Sequence, residues 1–204
     1  MTIRLFKHDL PDDIDLGNEV AVDTETLGLN PYRDKLCVVQ LSSGDGNAVL
    51  VQLDRETYEA PNLKRLLEDA NVMKIFHYAR FDMGVLKHWL GADVGPVWCT
   101  KIASKLARTY TDRHGLKDLV REMLGVDMSK QQQSSDWGTP VLSEAQKQYA
   151  AADVLYLHEL KQRLEMMLRR EGRLHLAEEC FRFLPTRVAL DLAGWADVDI
   201  FAHS

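Results

Sequence analysis

Residues 19–29 read EVAVDTETLGL, an apolar run that breaks into acids at Asp23 and Glu25. The run has the character of a buried strand, and residues two apart on a strand point to the same face. Asp23 and Glu25 therefore share one side of a sheet. An ionised carboxylate in apolar surroundings is costly unless it is paired or bound to a metal. Two more acids stand in similar settings, Asp82 in HYARFDMGVL (77–86) and Asp153 in QYAAADVLYL (148–157). Four such groups meeting in a fold would repel one another. Divalent cations would remove that repulsion, and Mg²⁺ or Mn²⁺ suit an all-oxygen ligand set.

Around these acids the chain reads as alternating elements. KLCVVQLSS (35–43) and AVLVQL (48–53) flank Gly44-Asp45-Gly46-Asn47, a hairpin signal. PNLKRLLEDA (61–70) starts a helix near Pro61, VMKIFHY (72–78) is a strand, and a helix follows from about Ala79 to Leu90, stopped by Gly91. VWCTK (97–101) is a short strand, with helices over 101–110 and 115–124. KQQQSSDW (130–137) is a polar loop. Ser143 with Gln146 forms a capping box that opens a long helix continued by Leu157, Leu160, Leu164, Met167 and Leu168. A last helix from about Arg173 to Phe183 leads to Pro185 and the tail DVDIFAHS, whose Ile200 and Phe201 are expected to dock on the core or on a neighbour. The pattern predicts one α/β domain over 1–204, a mixed central sheet flanked by helices. The motif-bearing core is about 19–170, with a C-terminal helix and tail over 171–204.

With 204 residues and 46% apolar content the chain is long enough for one packed domain. No apolar run approaches the roughly 18 residues that span a bilayer, so no membrane partner is expected and the cytoplasm is the expected compartment. Cys37, Cys99 and Cys180 are widely spaced and read as buried thiols, neither a disulfide framework nor a zinc site. The net charge of −6 lacks the basic footprint of a protein that grips long nucleic acid, which favours a short substrate.

The spacing also permits chemistry. Tyr149 and Asp153 are four apart, one helical turn, so the phenol stands beside the carboxylate. Asp82 falls in the early turns of its helix. Two cations about 4 Å apart, held by such groups, clamp the attacking and leaving oxygens of a phosphoryl displacement. Tyrosine, with an ordinary pKa of about 10, is a poor base at neutral pH. Tyr149 is therefore read as orienting the attacking water.

DTETLGL, HYARFD and QYAAADVLYL resemble the three motifs of the DEDD 3′→5′ exonucleases. Tyr149 places the resemblance in the tyrosine-bearing branch, like ribonuclease D, and SSDW followed by LSEAQKQYAA is similar to ribonuclease D too. The resemblance implies a ribonuclease H-like exonuclease fold. It also implies that Asp23, Glu25, Asp82 and Asp153 bind two metals, and that Tyr149 positions the water. The chain's length, its RTYTDRHGLK and SKQQQSSDW segments and its FAHS ending resemble compact, stand-alone members of the nano-RNase C type. That resemblance implies hydrolysis of very short RNA, chiefly 5′-phosphorylated dinucleotides, to mononucleotides by a ring-like homo-octamer. The alternatives are a broader exonuclease trimming longer RNA or DNA ends, and a non-catalytic relative, which would be expected to have lost a carboxylate.

Secondary candidates are more local. Leu29 matches the position where short-RNA members wedge an apolar side chain between two bases; its other reading is a core leucine. His77 is either a ribose or phosphate contact or a satisfied buried histidine. Lys130, Gln131, Gln132, Gln133, Ser134 and Ser135 form either a donor-rich cap for a terminal phosphate or a surface turn. Lys101, Lys105 and Arg108 share a helical face, a phosphate patch or a solvated surface. Trp137 and Trp195 are expected in core or subunit contacts.

Overall fold

The structure, a computed structural model, describes residues 1–129, 131–132 and 134–203. Six strands, β1 (Ile3–Lys7), β2 (Glu19–Thr26), β3 (Leu36–Ser42), β4 (Ala48–Gln52), β5 (Met73–Phe76) and β6 (Val97–Cys99), form one sheet in the order β1-β4-β3-β2-β5-β6. β3 pairs antiparallel with both β2 and β4, while β1, β5 and β6 pair parallel with their neighbours. Only β3 thus runs against the rest. The β3–β4 hairpin turns through Gly44 and Gly46, both at φ 80°, the left-handed backbone that glycine adopts without steric penalty. β3 and β4 are buried at every position, as expected for strands covered on both faces.

Among the described residues seven helices surround the sheet: α1 (Pro61–Glu68), α2 (Ala79–Leu90), α3 (Thr100–Ala107), α4 (Leu116–Leu119), α5 (Glu144–Leu155), α6 (Leu157–Arg170) and α7 (Leu174–Leu190). Single π turns extend α4 through Val120–Leu124 and α7 through Asp191–Trp195. α5 lies across β2, β3 and β4, and α2 packs against β3, β5 and β6. The main core joins the sheet to α2, α6 and α7, and a smaller cluster of Val38, Leu50, Trp137, Leu142 and Ala150 sits under α5.

The expected architecture is observed, with three differences. β1 is absent from the sequence reading: Arg4 and Lys7 interrupt its apolar residues, so it lacks the long apolar run of the inner strands, and parallel pairing with β4 makes it a strand. The long helix after the Ser143 capping box is two helices, broken at Tyr156. The last helix does not end near Pro185 but runs to Leu190, because Ala177, Phe181, Leu184 and Val188 bury one continuous face across the proline. Two side chains also differ. Cys180 is exposed, whereas Cys37 and Cys99 are buried. Phe201 does not dock on the core: it is 78% exposed, with its ring 6.0 Å from that of Phe183 between centres.

Candidate active site

β2 ends at the site. Its alternation sends Asp23 and Glu25 to the face covered by α5 and Thr24 to the opposite face. From above, α5 brings Asp153 down, so that one oxygen each of Asp23, Glu25 and Asp153 lie within 4.8 Å of one another. From the other side, β5 turns into α2 through Tyr78, which holds the left-handed conformation (φ 70°) uncommon for a tyrosine. Asp82 then stands in the first turn of α2, buried, with its Oδ1 accepting the Thr24 hydroxyl at 2.7 Å. It lies outside the tight triangle, yet its charge is, after burial, the next largest influence on Asp23. All four sequence-predicted carboxylates therefore converge at the carboxyl ends of parallel strands, where open α/β sheets bind ligands.

The convergence is electrostatically unfavourable. Burial first, then the charges of Asp82, Asp153 and Glu25, hold the Asp23 carboxyl well above the usual range. Burial and the charges of Asp153 and Asp82 push Glu25 up to about 9. Burial raises Asp82 to about 7 against the opposing Thr24 hydrogen bond. Asp153 also reaches about 7 through burial, opposed by the charge of Lys117 and a hydrogen bond from Tyr149. A compact, half-buried, all-oxygen set of this kind fits a hard divalent cation, whose charge would remove the repulsion.

Tyr149 sits one turn before Asp153 on α5 and hydrogen-bonds to it. Burial and the neighbouring carboxylates drive the phenol further above its ordinary value, so it is a neutral donor throughout the physiological range. The Trp137 ring packs 6.1 Å from the Tyr149 ring and is buried, as expected of a core tryptophan. Trp195 is exposed.

Two residues escaped the sequence reading. Thr24 lies inside the first motif, but nothing in DTE announces that its hydroxyl holds an acid 58 residues away. Lys117, on α4, places its ammonium 5.7 Å from the Tyr149 ring centre and donates to the Ser129 carbonyl at 2.5 Å. No local spacing connects HGLK to the third motif; tertiary packing alone brings them together.

The secondary candidates divide. Leu29 is 85% exposed, which removes the core reading. Its loop is nevertheless braced: Asp34 Oδ2 accepts the Asn30 amide at 2.9 Å, and a Cβ on Gly28 would stand 2.3 Å from that carboxylate and displace it. His77 is partly buried, with Nδ1 2.8 Å from the Thr100 hydroxyl; burial and Lys101 push it down to about 3, the behaviour of a satisfied neutral histidine. Gln131 and Gln132 line a groove of about 400 Å³ together with Tyr149 and Asp153. Ser134 is exposed, while the Ser135 hydroxyl accepts the Gln146 amide at 2.8 Å. Lys130 and Gln133 lie outside the described residues. The basic face does not form: Lys101 stands 4.3 Å over the Tyr78 ring, whereas Arg108 is buried, donating to the Arg113 carbonyl and pairing with Glu122.

Residues 8–169 match the 3′-5′ exonuclease family. The chain belongs to that family. Ribonuclease D of Jannaschia sp. is 36% identical over 163 residues, which cover 78% of this chain and 42% of that protein. The exonuclease chain thus spans less than half the length of this curated relative. Full-length likeness comes from Brucella melitensis NrnC (nano-RNase C). Its structure with bound Mg²⁺ is 59% identical and its structure bound to pGG 60% identical, each with a TM-score of 0.96 and covering 100% of both chains. The exonuclease chain is thus similar throughout to a protein seen with Mg²⁺ in one structure and with pGG in another. Among the described residues, no helix is long and apolar enough to cross a membrane.

Proposed function

We propose that this chain is a metal-dependent 3′→5′ exoribonuclease that hydrolyses very short RNA, chiefly 5′-phosphorylated dinucleotides, to nucleoside monophosphates. The carrying observation is the convergence of Asp23, Glu25 and Asp153 to within 4.8 Å, with Asp82 alongside. Likeness over the whole chain to NrnC bound to pGG supports the short substrate.

Asp23, Glu25, Asp82 and Asp153 would hold two divalent cations, Mg²⁺ or Mn²⁺. Such cations, when bound, offset the carboxylate repulsion and stabilise charge developing on the scissile phosphate. Tyr149, protonated and anchored on Asp153, orients the attacking water and does not remove its proton. Water adds to phosphorus, the bond from phosphorus to the 3′ oxygen breaks, and that oxygen leaves as a hydroxyl. A 5′-phosphorylated dinucleotide therefore yields two nucleoside 5′-monophosphates. Leu29, exposed on its braced loop, would meet base faces in a sequence-tolerant way. Gln131, on the groove beside Tyr149, together with Lys130, Ser134 and Ser135, would limit substrate length by capping a terminal phosphate; His77 would contact the terminal nucleotide. The chain would self-associate into a homo-octamer, for which the groove lined by Met73, Trp98, Phe181 and Pro185 offers apolar surface, and a cytoplasmic site of action accords with three free thiols.

The test is a length series of 5′-phosphorylated RNA with Mg²⁺ and with EDTA. Hydrolysis that is strongest on two nucleotides and abolished by EDTA is expected. Processive shortening of long RNA or DNA would instead establish the broader exonuclease.

A further inference from the structure

Among the described residues three glutamines are buried, and two are engaged at both ends of the amide. Gln52 Oε1 accepts the Lys7 ammonium at 2.5 Å, and its Nε2 donates to the Thr139 carbonyl at 2.8 Å. Gln146 Oε1 accepts the Ser143 amide at 2.9 Å, and its Nε2 donates to the Ser135 hydroxyl at 2.8 Å and the Asp136 carbonyl at 3.0 Å. Gln40 differs. It is 0% exposed, and neither its Oε1 nor its Nε2 has a hydrogen-bond partner among the described residues. An unsatisfied buried polar group destabilises a fold, and a methionine of similar length would fill the same space without that penalty.

The position of Gln40 suggests what the amide is for. In the middle of β3 it stands directly across from Asp23 on β2 and from Leu50 on β4. Cross-strand partners face the same side, so Leu50, Gln40 and Asp23 form a row beneath α5. The row passes from the apolar cluster of Val38, Leu50 and Ala150 into the carboxylate site. Gln40 is the step between them, where an apolar side chain would be the default. A carboxylate that ligates a cation has further lone pairs that need donors, and the amide nitrogen of glutamine offers two hydrogens.

We propose that Gln40 is a positioning residue for the exonuclease reaction: its carboxamide holds the Asp23 carboxylate in the orientation that grips a divalent cation. The inference rests on the metal-dependent reading above. It also explains the choice of residue, because the unpaired amide is a burden on the metal-free fold that the loaded site relieves.

The test is Mn²⁺ titration by calorimetry of the intact chain, wild type against Q40M, with melting temperatures recorded in EDTA. Q40M is expected to bind Mn²⁺ about 10-fold or more weakly, the effect typical of losing an outer partner of a metal ligand. In EDTA it should melt at or above the wild-type temperature, since an apolar group of similar shape replaces an unpaired amide. Equal Mn²⁺ affinity in Q40M and wild type would overturn the proposal. So would a marked loss of stability in EDTA, which would mean that the amide is satisfied within the fold. Q40L removes the same amide with a different shape, and its titration decides the matter should Q40M fail to fold. A wild-type protein that binds no Mn²⁺ would overturn the metal-dependent function itself, whereas wild-type binding with unaffected variants would overturn the role of Gln40 alone.

Discussion

Asp153 and Asp191 are the same chemical group in two regions that treat it oppositely. Asp191, just beyond α7, has burial working against its charge, but the guanidinium groups of Arg80 (2.5 and 2.8 Å) and Arg187 (2.8 and 2.5 Å) outweigh it and hold the carboxyl below the usual range. Asp153 faces Asp23 and Glu25, and the nearby Lys117 only partly offsets its burial. Asp191 is a structural junction. Its backbone carbonyl accepts the Tyr32 hydroxyl at 2.6 Å, and Arg80 lies two residues before Asp82 and also donates to the Ala196 carbonyl at 2.8 Å. The carboxylate thereby ties the start of α2 to the C-terminal segment, and the backbone carbonyl of the same residue ties in the Leu29 loop. A carboxylate matched by the protein's own cations serves the fold; carboxylates turned on one another mark the place where charge must come from outside.

The sharpest way to break this contrast is to neutralise each acid in turn. Asp153→Asn should lower turnover by more than the roughly 100-fold that loss of an outer partner of a metal ligand costs, because a ligand itself is removed. The same change should raise the melting temperature in EDTA, since it deletes one member of a repelling cluster. Steady-state hydrolysis of a 5′-phosphorylated dinucleotide and calorimetric melting measure the two effects. A variant that loses activity and also metal-free stability would mean that Asp153 is paired within the fold, like Asp191.

Tyr149→Phe separates orientation from metal binding. Loss of the phenol should reduce kcat by about 100-fold, the order expected when a reacting group is misplaced by an ångström. Mn²⁺ affinity should stay close to wild type. A parallel collapse of Mn²⁺ affinity would make Tyr149 part of the cation site and not a positioner of water.

Asp191→Asn supplies the counterpart at the structural junction. Hydrogen bonds to charged groups contribute about 1.5–3 kcal/mol, so the variant should lose roughly that much stability in denaturant unfolding. Its turnover per folded molecule should fall far less than that of Asp153→Asn. Should turnover collapse while stability holds, the junction would belong to the catalytic machinery.

Much of the active region was legible from residues alone, because its chemistry forces polar groups into apolar strings. Asp23, Glu25, Asp82 and Asp153 each interrupt a hydrophobic element, and the two-residue and four-residue spacings fix which faces they share. Gln40 interrupts KLCVVQLSS in the same manner, but a single amide in a strand carries no spacing rule, so its place beside Asp23 appears only through the β2–β3 register. The junction was not legible. Tyr32, Arg80 and the Arg187–Asp191 pair are far apart in sequence, and none differs from an ordinary surface residue until α7 runs on through Pro185. The Pro185 reading failed because local propensity expects a helix to stop there, whereas the buried face of α7 outweighs one missing backbone bond.

The smallest expected effect is also the one in which both regions act at once. A carboxyl whose folded pKa is raised lets the folded state hold more protons than the unfolded chain, so stability falls as pH rises between the two values. Asp82 and Asp153 at about 7 and Glu25 at about 9 place that loss, in EDTA, between the ordinary carboxylate range and the mildly alkaline region. Asp191 has the opposite sign: its pairing contributes stability above the ordinary carboxylate pKa, and that contribution is lost as pH falls below it. Melting temperature in EDTA should therefore peak on the acidic side of neutrality and decline towards alkaline pH. Added Mg²⁺ should flatten the alkaline decline, because cations favour the deprotonated carboxylates, and leave the acid limb in place, since the Asp191 pairs need no metal. Asp153→Asn should shorten the decline near neutrality, and Asp191→Asn should soften only the acid limb. A melting temperature that climbs steadily in EDTA up to alkaline pH would show that the four acids do not repel one another in solution, and the difference between the two regions would then disappear.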